Sequence, residues 1–339
     1  MPIAASAQEV CGIEGVTYNN LFKNGFEALL LAAQQKATTE HKAPSSVDMG
    51  RPMGIAPVPY GGTPTITITD PASSGSIAGR TLQLRGTISG PINTGVSVNG
   101  IPAFVQGNQF VTPLLTLPSS GSTSMTATAT TLDGATATDS KTLTASASNG
   151  VRLISPKPAE FFNRPVKFAL EVDSAISIQQ LTVDFNGDGT PEFTGTDPLL
   201  VPNTYTYAQP GFYTAEARIT TNQSTILVSK TIHAANDVTE LRTRACSVYG
   251  ALRARLIAND VLGAINVFPA DNRSLYQAMF NALGSNRPVF AGRLGTIATG
   301  LLSLHGASMT VITTDEGQPQ AYRVRIEQGG DGVWRIEEL

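Results

Sequence analysis

Charge is scarce in this chain of 339 residues: only 14% of them are Asp, Glu, Lys or Arg, and the formal net charge is −3. With a pI near 5.7 and no clustered Lys and Arg, the chain lacks the basic footprint that nucleic-acid binding needs, and that class of partner is excluded. Long apolar runs are missing too. No stretch reaches the roughly 18 residues of a membrane-spanning helix. Cysteine is limited to Cys11 and Cys246, with no CxxC pair, so zinc-ribbon and dithiol redox motifs are absent. In an oxidising compartment the two could pair and tie the N-terminal segment to a C-terminal helix; the alternative is two independent thiols, with Cys246 packed on a helix face. Histidine occurs only at 41, 233 and 305, and no Gly-x-Ser-x-Gly elbow is present, so a Ser-His-Asp arrangement has no nominee. His41 falls in a linker, His233 at a strand end and His305 in a Gly-rich loop; each is expected at the surface.

What is abundant is Ser, Thr and Gly, so polarity is carried by hydroxyls. That suits β-sandwiches, whose outward strand faces accept β-branched Thr. The length allows two to four domains. Residues 1–62 read as a leader. Ala5-Ser6-Ala7 has the small-x-small pattern of a signal-peptidase site, with cleavage before Gln8. A short helix-like run follows at 24–33, and a Pro/Gly-rich linker at 43–64.

Residues 63–146 read as a first sandwich. Thr65-Ile66-Thr67-Ile68-Thr69 alternates as a half-buried strand should, and 82–86, 96–100 and 124–129 repeat the pattern. Asn99-Gly100 and Asp133-Gly134 are hairpin dipeptides. Ile66–Pro71, Gly86-Thr87-Ile88, Val96–Ala103 and Ala127–Gly134 together resemble the bacterial immunoglobulin-like module found as glucodextranase domain B. The resemblance implies a fold and no activity. Residues 150–235 read as a second sandwich, with strands at 168–172, 181–185 and 205–220. Asp184-Phe185-Asn186-Gly187-Asp188-Gly189 followed by Tyr207-Ala208-Gln209-Pro210-Gly211-Phe212-Tyr213 is similar to the PKD family, with Val183 where that family usually has an aromatic. Tyr205, Tyr207 and Tyr213 are expected to pack, one phenol satisfying backbone groups.

From 236 to 339 the pattern changes. A helix is predicted over 238–257, with Leu241, Cys246, Val248, Tyr249, Leu252 and Leu256 on one stripe and an Asp237/Glu240 capping box. Further helices are predicted at 259–267, at 273–283 with Gly284 as its stop, and at 288–299; strands follow at 308–312, 321–326 and 332–337. The expected fold class is therefore multidomain and mainly β: two Ig-like β-sandwiches plus a C-terminal α+β domain. The closing strand Asp331–Ile336 and the leading helices are loosely similar to NTF2-like cone folds. The order of the three parts resembles the N-terminal regions of some bacterial Rhs-type and surface proteins.

One loop has the spacing of a cation site. Asp184, Asn186 and Asp188 stand at positions 1, 3 and 5 before a Gly at 6, with Thr190 and Glu192 able to add oxygens, which points to structural calcium. The bidentate Glu of a full calcium loop is missing, and Asx hydrogen bonds alone can hold such a turn. Arg242, Arg244, Arg253 and Arg255 read as a solvated helix face in preference to an anion site. Trp334 is expected in the core or lining a cone. A pocket lined by Tyr249, Phe268, Phe280 and Trp334 would suit a ligand such as a glycan. The expected function is non-enzymatic: a bacterial secreted, periplasmic or cell-surface structural protein, its sandwiches acting as spacers that display the C-terminal domain to an envelope or extracellular protein partner. The alternative is a carbohydrate- or ligand-binding accessory module.

Overall fold

A computed structural model describes residues 61–314 and 318–339, together with the backbone alone of Val47, Asp48 and Asp315. The expected signal-peptide tail, the helix at 24–33 and most of the linker lie outside the described residues, as do Cys11 and His41. The chain is mainly β: two Ig-like sandwiches and a C-terminal α+β lobe.

In the first sandwich a four-stranded sheet (Thr65–Asp70, Arg85–Ser89, Gln109–Val111, Phe104–Gln106) faces a five-stranded one (Gly75–Ala78, Thr136–Ser146, Ser122–Thr130, Gly95–Val98, Ile101–Pro102). Alternation does the sorting: Ile66 and Ile68 enter the core beside Leu84, Val96, Val98 and Phe110, while the intervening Thr side chains face out. Asn99 and Gly100 both have positive φ, 48° and 82°, the mirror-image turn that matches strand twist. The second sandwich has the sheet order Ala159–Phe161, Ile226–Asn236, Gly211–Thr221, Ile178–Asp184, Phe193–Gly195, closed by two short strand pairs. Its core gathers Leu181, Val183, Phe185, Ala215, Ala217 and Ile219.

The C-terminal lobe has four α-helices, α1 (Val238–Ile257), α2 (Val261–Ile265), α3 (Arg273–Leu283) and α4 (Arg287–Arg293), over an antiparallel sheet of Thr296–Ser303, Gly306–Asp315, Gln318–Gln328 and Trp334–Glu338. The predicted α1 stripe is buried throughout. The predicted helix over 288–299 is cut short. Gly295, at φ +73°, sits where a Cβ would lie 2.2 Å from the Ile312 carbonyl oxygen, and the β-branched Thr296-Ile297 then opens a strand. Part of the expected linker also has a structural role: Val47–Asp48 pairs antiparallel with Leu302 and Leu301 at the sheet edge.

Candidate functional site

The 184–192 loop is held by its own backbone. Asp184 Oδ1 accepts from the N–H groups of Asn186 (3.2 Å) and Gly187 (2.6 Å), and its Oδ2 accepts from Gly189 (2.8 Å). Asp188 Oδ1 accepts from the Thr190 N–H, and its Oδ2 from the Asn186 side-chain amide; these bonds hold the Asp188 carboxyl below its usual range. Glu192 Oε2 turns instead to the Phe185 N–H at 2.7 Å. Gly187 is required: a Cβ there would lie 2.7 Å from the Thr214 carbonyl oxygen. Thr190 meets Asp188 through its backbone. The predicted calcium ligands thus lie in one loop with each carboxylate already accepting hydrogen bonds, and among the described residues no three His, Cys, Asp or Glu side chains converge as a metal cluster. Two phenols rather than one satisfy backbone nearby, Tyr207 at Phe185 O (2.8 Å) and Tyr213 at Gln209 O (2.9 Å). Burial pushes the Tyr207 hydroxyl well above its usual range.

Three residues of α1 that sequence reading kept within the helix or on its surface, Glu240, Arg244 and Arg255, instead reach into the first sandwich. Asp237 caps α1 at the Thr239 N–H, but Glu240 does not complete the capping box. Its carboxylate reaches across to the Gly107 N–H of the first sandwich, at 2.7 and 2.9 Å. Arg244 is buried rather than solvated, and its Nη1 donates to the Thr94 carbonyl at 3.0 Å. Arg255 is buried as well, donating to Gly263 O and pairing with Asp133 at 2.7 Å in the hairpin turn of the first sandwich. Arg253 donates to Ala291 O within its own lobe. Arg255 uses both arms of its fork, one on a carbonyl and one on a carboxylate, a role that Lys does not fill.

On the other side of the same seam, the Asn93 side chain behaves as a short strand. It donates to Trp334 O (2.8 Å) and accepts from Trp334 N (3.1 Å), both buried. Beside it two backbones touch: a Cβ on Gly95 would lie 2.1 Å from the Gly332 carbonyl carbon. The sandwiches meet through Gln83, whose amide donates to Ile232 O and accepts from Ile232 N, both at 2.7 Å. Phe104 and Val111 from the first sandwich and Ala159, Ile232 and Ala234 from the second form a shared apolar cluster, with Leu304 of the C-terminal lobe packed against it. The lobes are therefore not strung end to end. They close around a common centre.

That packing corrects three further expectations. Tyr249, Phe268, Phe280 and Trp334 do not line a pocket; all four are buried in the core between helices and sheet. The hydroxyls of Tyr249 and Tyr322 converge on the Leu294 carbonyl. His233 is not at the surface but 0% exposed, stacked on Tyr207 with ring centroids 5.3 Å apart. His305 is exposed and bonded to the Gln328 side chain. Cys246 is buried in α1 and is not a free thiol.

Two features remain open to a partner. A cleft of about 300 Å³ runs between the sandwiches, with Thr81, Gln83, Ser155 and Thr231 among its polar lining and Leu82 and Leu153 among its apolar wall. On the helical layer of the C-terminal lobe, Ile257, Leu262, Leu275, Met279 and Val289 are exposed, Leu262 and Leu275 at 68% each. Sequence periodicity did not find this face, because α3 also carries the buried Phe280 and reads as ordinary amphipathic helix.

No protein-family description matches the chain, and no curated protein matches it. Among solved structures, the fibronectin(III)-like modules of Clostridium thermocellum CbhA are 14% identical, covering 50% of this chain and 94% of theirs at a TM-score of 0.20. A membrane-anchored protein of Corynebacterium diphtheriae, described as putative, is 15% identical, covering 51% and 53% at 0.21. The N-terminal Ig1-2 module of the Drosophila receptor protein tyrosine phosphatase DLAR is 10% identical, covering 52% and 100% at 0.24. Scores this low carry no argument; the sandwich fold rests on strand order and register.

Proposed function

We propose that the protein is a non-enzymatic structural and interaction protein of a bacterial cell surface or secreted fraction, in which two sandwiches hold the C-terminal lobe in a fixed pose and its helical layer meets an envelope or extracellular protein partner. The observation that carries this reading is the exposed apolar set at 257–289 on a lobe that the rest of the chain clamps in place. A pre-organised apolar face binds with less ordering cost than a mobile one, and the exposed Leu275 and Met279, four positions apart on α3, share one helix face. The PKD-like loop, the NTF2-like tail and the likeness to Rhs-type N-terminal regions point the same way, since such modules serve to place other domains. Calcium enters this reading only as an ion stiffening the 184–192 loop, which its hydrogen bonds already brace.

The test is an affinity pull-down from envelope and secreted fractions with the native chain and with a Leu275→Asp/Met279→Asp double variant. Both side chains point away from the core, so the variant is expected to melt like the native protein. A protein recovered by the native chain and lost by the variant supports the reading; equal recovery by both refutes the helical face as the contact. A second reading, glycan binding, is favoured by the polar-lined cleft between the sandwiches. Selective binding on a glycan array, abolished by Thr81→Trp in the cleft wall, would support it.

A further inference from the structure

His233 is the one histidine among the described residues that is removed from water, and its position on the strand Ile226–Asn236 is unusual. The strand alternates, so Ile232 and Ala234 face the shared three-lobe cluster while His233 and Ala235 face the interior of the second sandwich. Its Nδ1 lies 3.4 Å from Ser155 Oγ, and its Nε2 is buried with no hydrogen-bond partner. The groups that face it are the Tyr207 ring, the Ser155 hydroxyl, the Lys157 carbonyl and, across the sheet at the same register, Tyr213. On the neighbouring strand, Glu160 pairs with Arg164. On the His233 strand itself, Lys230 pairs with Glu216, further along the register. A carboxylate that would receive a second imidazole proton is not among the groups facing the ring.

We propose that His233 is an acid-sensitive pin for the junction between the lobes: protonating its imidazole displaces the 231–236 stretch and releases the first sandwich from the second. The coupling is geometric. The ring is fully buried and its Nε2 unpartnered, so the charged form is favoured where the strand has moved and water reaches it. Moving the strand swings Ile232 and Ala234 out of the shared cluster and breaks both Gln83 bonds to Ile232, which sit on the adjacent residue. An unpaired buried charge costs far more than these contacts retain.

Burial lowers the His233 pKa to about 4, against 6.5 in an exposed chain, with the Lys157 carbonyl bond opposing the shift. A group depressed in the folded state favours folding above its ordinary value and loses that contribution as pH falls. From those two values, the closed state should weaken about 30-fold between about pH 7.5 and pH 5. Hydrogen-exchange protection of the Ile232 amide, which donates to Gln83, reads this on the full chain. Ile232 protection is expected to drop about 30-fold in the native protein over that range and to stay nearly flat in His233→Gln. Equal drops in the two proteins, or no drop in the native one, would overturn the proposal. If His233→Gln does not fold, the imidazole resonances of the native chain supply the same test: titration near 6.5 with Ile232 still protected refutes the pin, and titration near 4 coincident with loss of Ile232 protection supports it.

Discussion

Gly95→Ala isolates the seam between the first sandwich and the C-terminal lobe. Gly95 is a buried strand residue, and it is not among the glycines with positive φ, so alanine introduces no backbone strain of its own. Its new Cβ would fall 2.1 Å from the Gly332 carbonyl carbon and 2.2 Å from Val333 N, both main-chain atoms that cannot rotate away. The lobes have to part by about the difference between that contact and a normal one of roughly 3.5 Å, or the strand must bend. Overpacking of this kind costs about 1–3 kcal/mol. A separation of that size also strains the two Asn93 bonds to Trp334 and the Arg244 bond to Thr94 O, each leaving a buried polar group short of a partner, for a further ~1–3 kcal/mol. Together the expected loss is about 2–6 kcal/mol. For a body of this size that corresponds to a drop in Tm of about 3 °C at the least. Scanning calorimetry measures it, with Gly292→Ala, whose Cβ meets nothing within 4 Å, as control. A Gly95→Ala protein that melts within a degree of native would refute the close approach and the seam built on it.

Two more outcomes follow from the same geometry. Calcium at about 10 mM should raise the Tm by a few degrees over a chelator control, the stabilisation a weak site on the 184–192 loop would give; an unchanged Tm would refute a cation at Asp184, Asn186, Asp188, Thr190 and Glu192. Cys246 is not a free thiol and the sequence holds one other cysteine, so a non-reducing digest should yield one linked peptide pair containing Cys11 and Cys246. Reduction is expected to cost about 2–4 kcal/mol, read by denaturant titration; two separate alkylatable peptides would contradict the pairing.

The sandwiches were legible because their signals are local. Thr65–Thr69 alternates, Asn99-Gly100 turns, and Tyr207 and Tyr213 sit at the spacing that packs them, all within short windows. The seams were not. Glu240 stands at the spacing of a capping box, and nothing in its neighbourhood says that Gly107, 133 positions earlier, will take its carboxylate. Arg244 and Arg255 read as solvated charges, since their burial depends on groups of the first sandwich, the Thr94 carbonyl and the Asp133 carboxylate. His233 looked like a strand end because the second sandwich was expected to stop at 235, whereas its strand runs to Asn236 between two partners. Helix propensity carried the predicted helix at 288–299 past Gly295, whose need for positive φ comes from the facing Ile312 backbone. In each case a non-local contact decided the outcome.

The measurement that bears most directly on the locked three-lobe body is amide hydrogen exchange at neutral pH, followed at Gly107, Ile232 and Trp334. Each of these N–H groups donates to a side chain of a different lobe: Glu240, Gln83 and Asn93 respectively. Protection at all three in the native protein, with Gly107 and Trp334 losing it together in Gly95→Ala, is the expected result. Free exchange at these positions while the sandwich cores stay protected would show lobes that move independently, and would return the chain to a string of spacers.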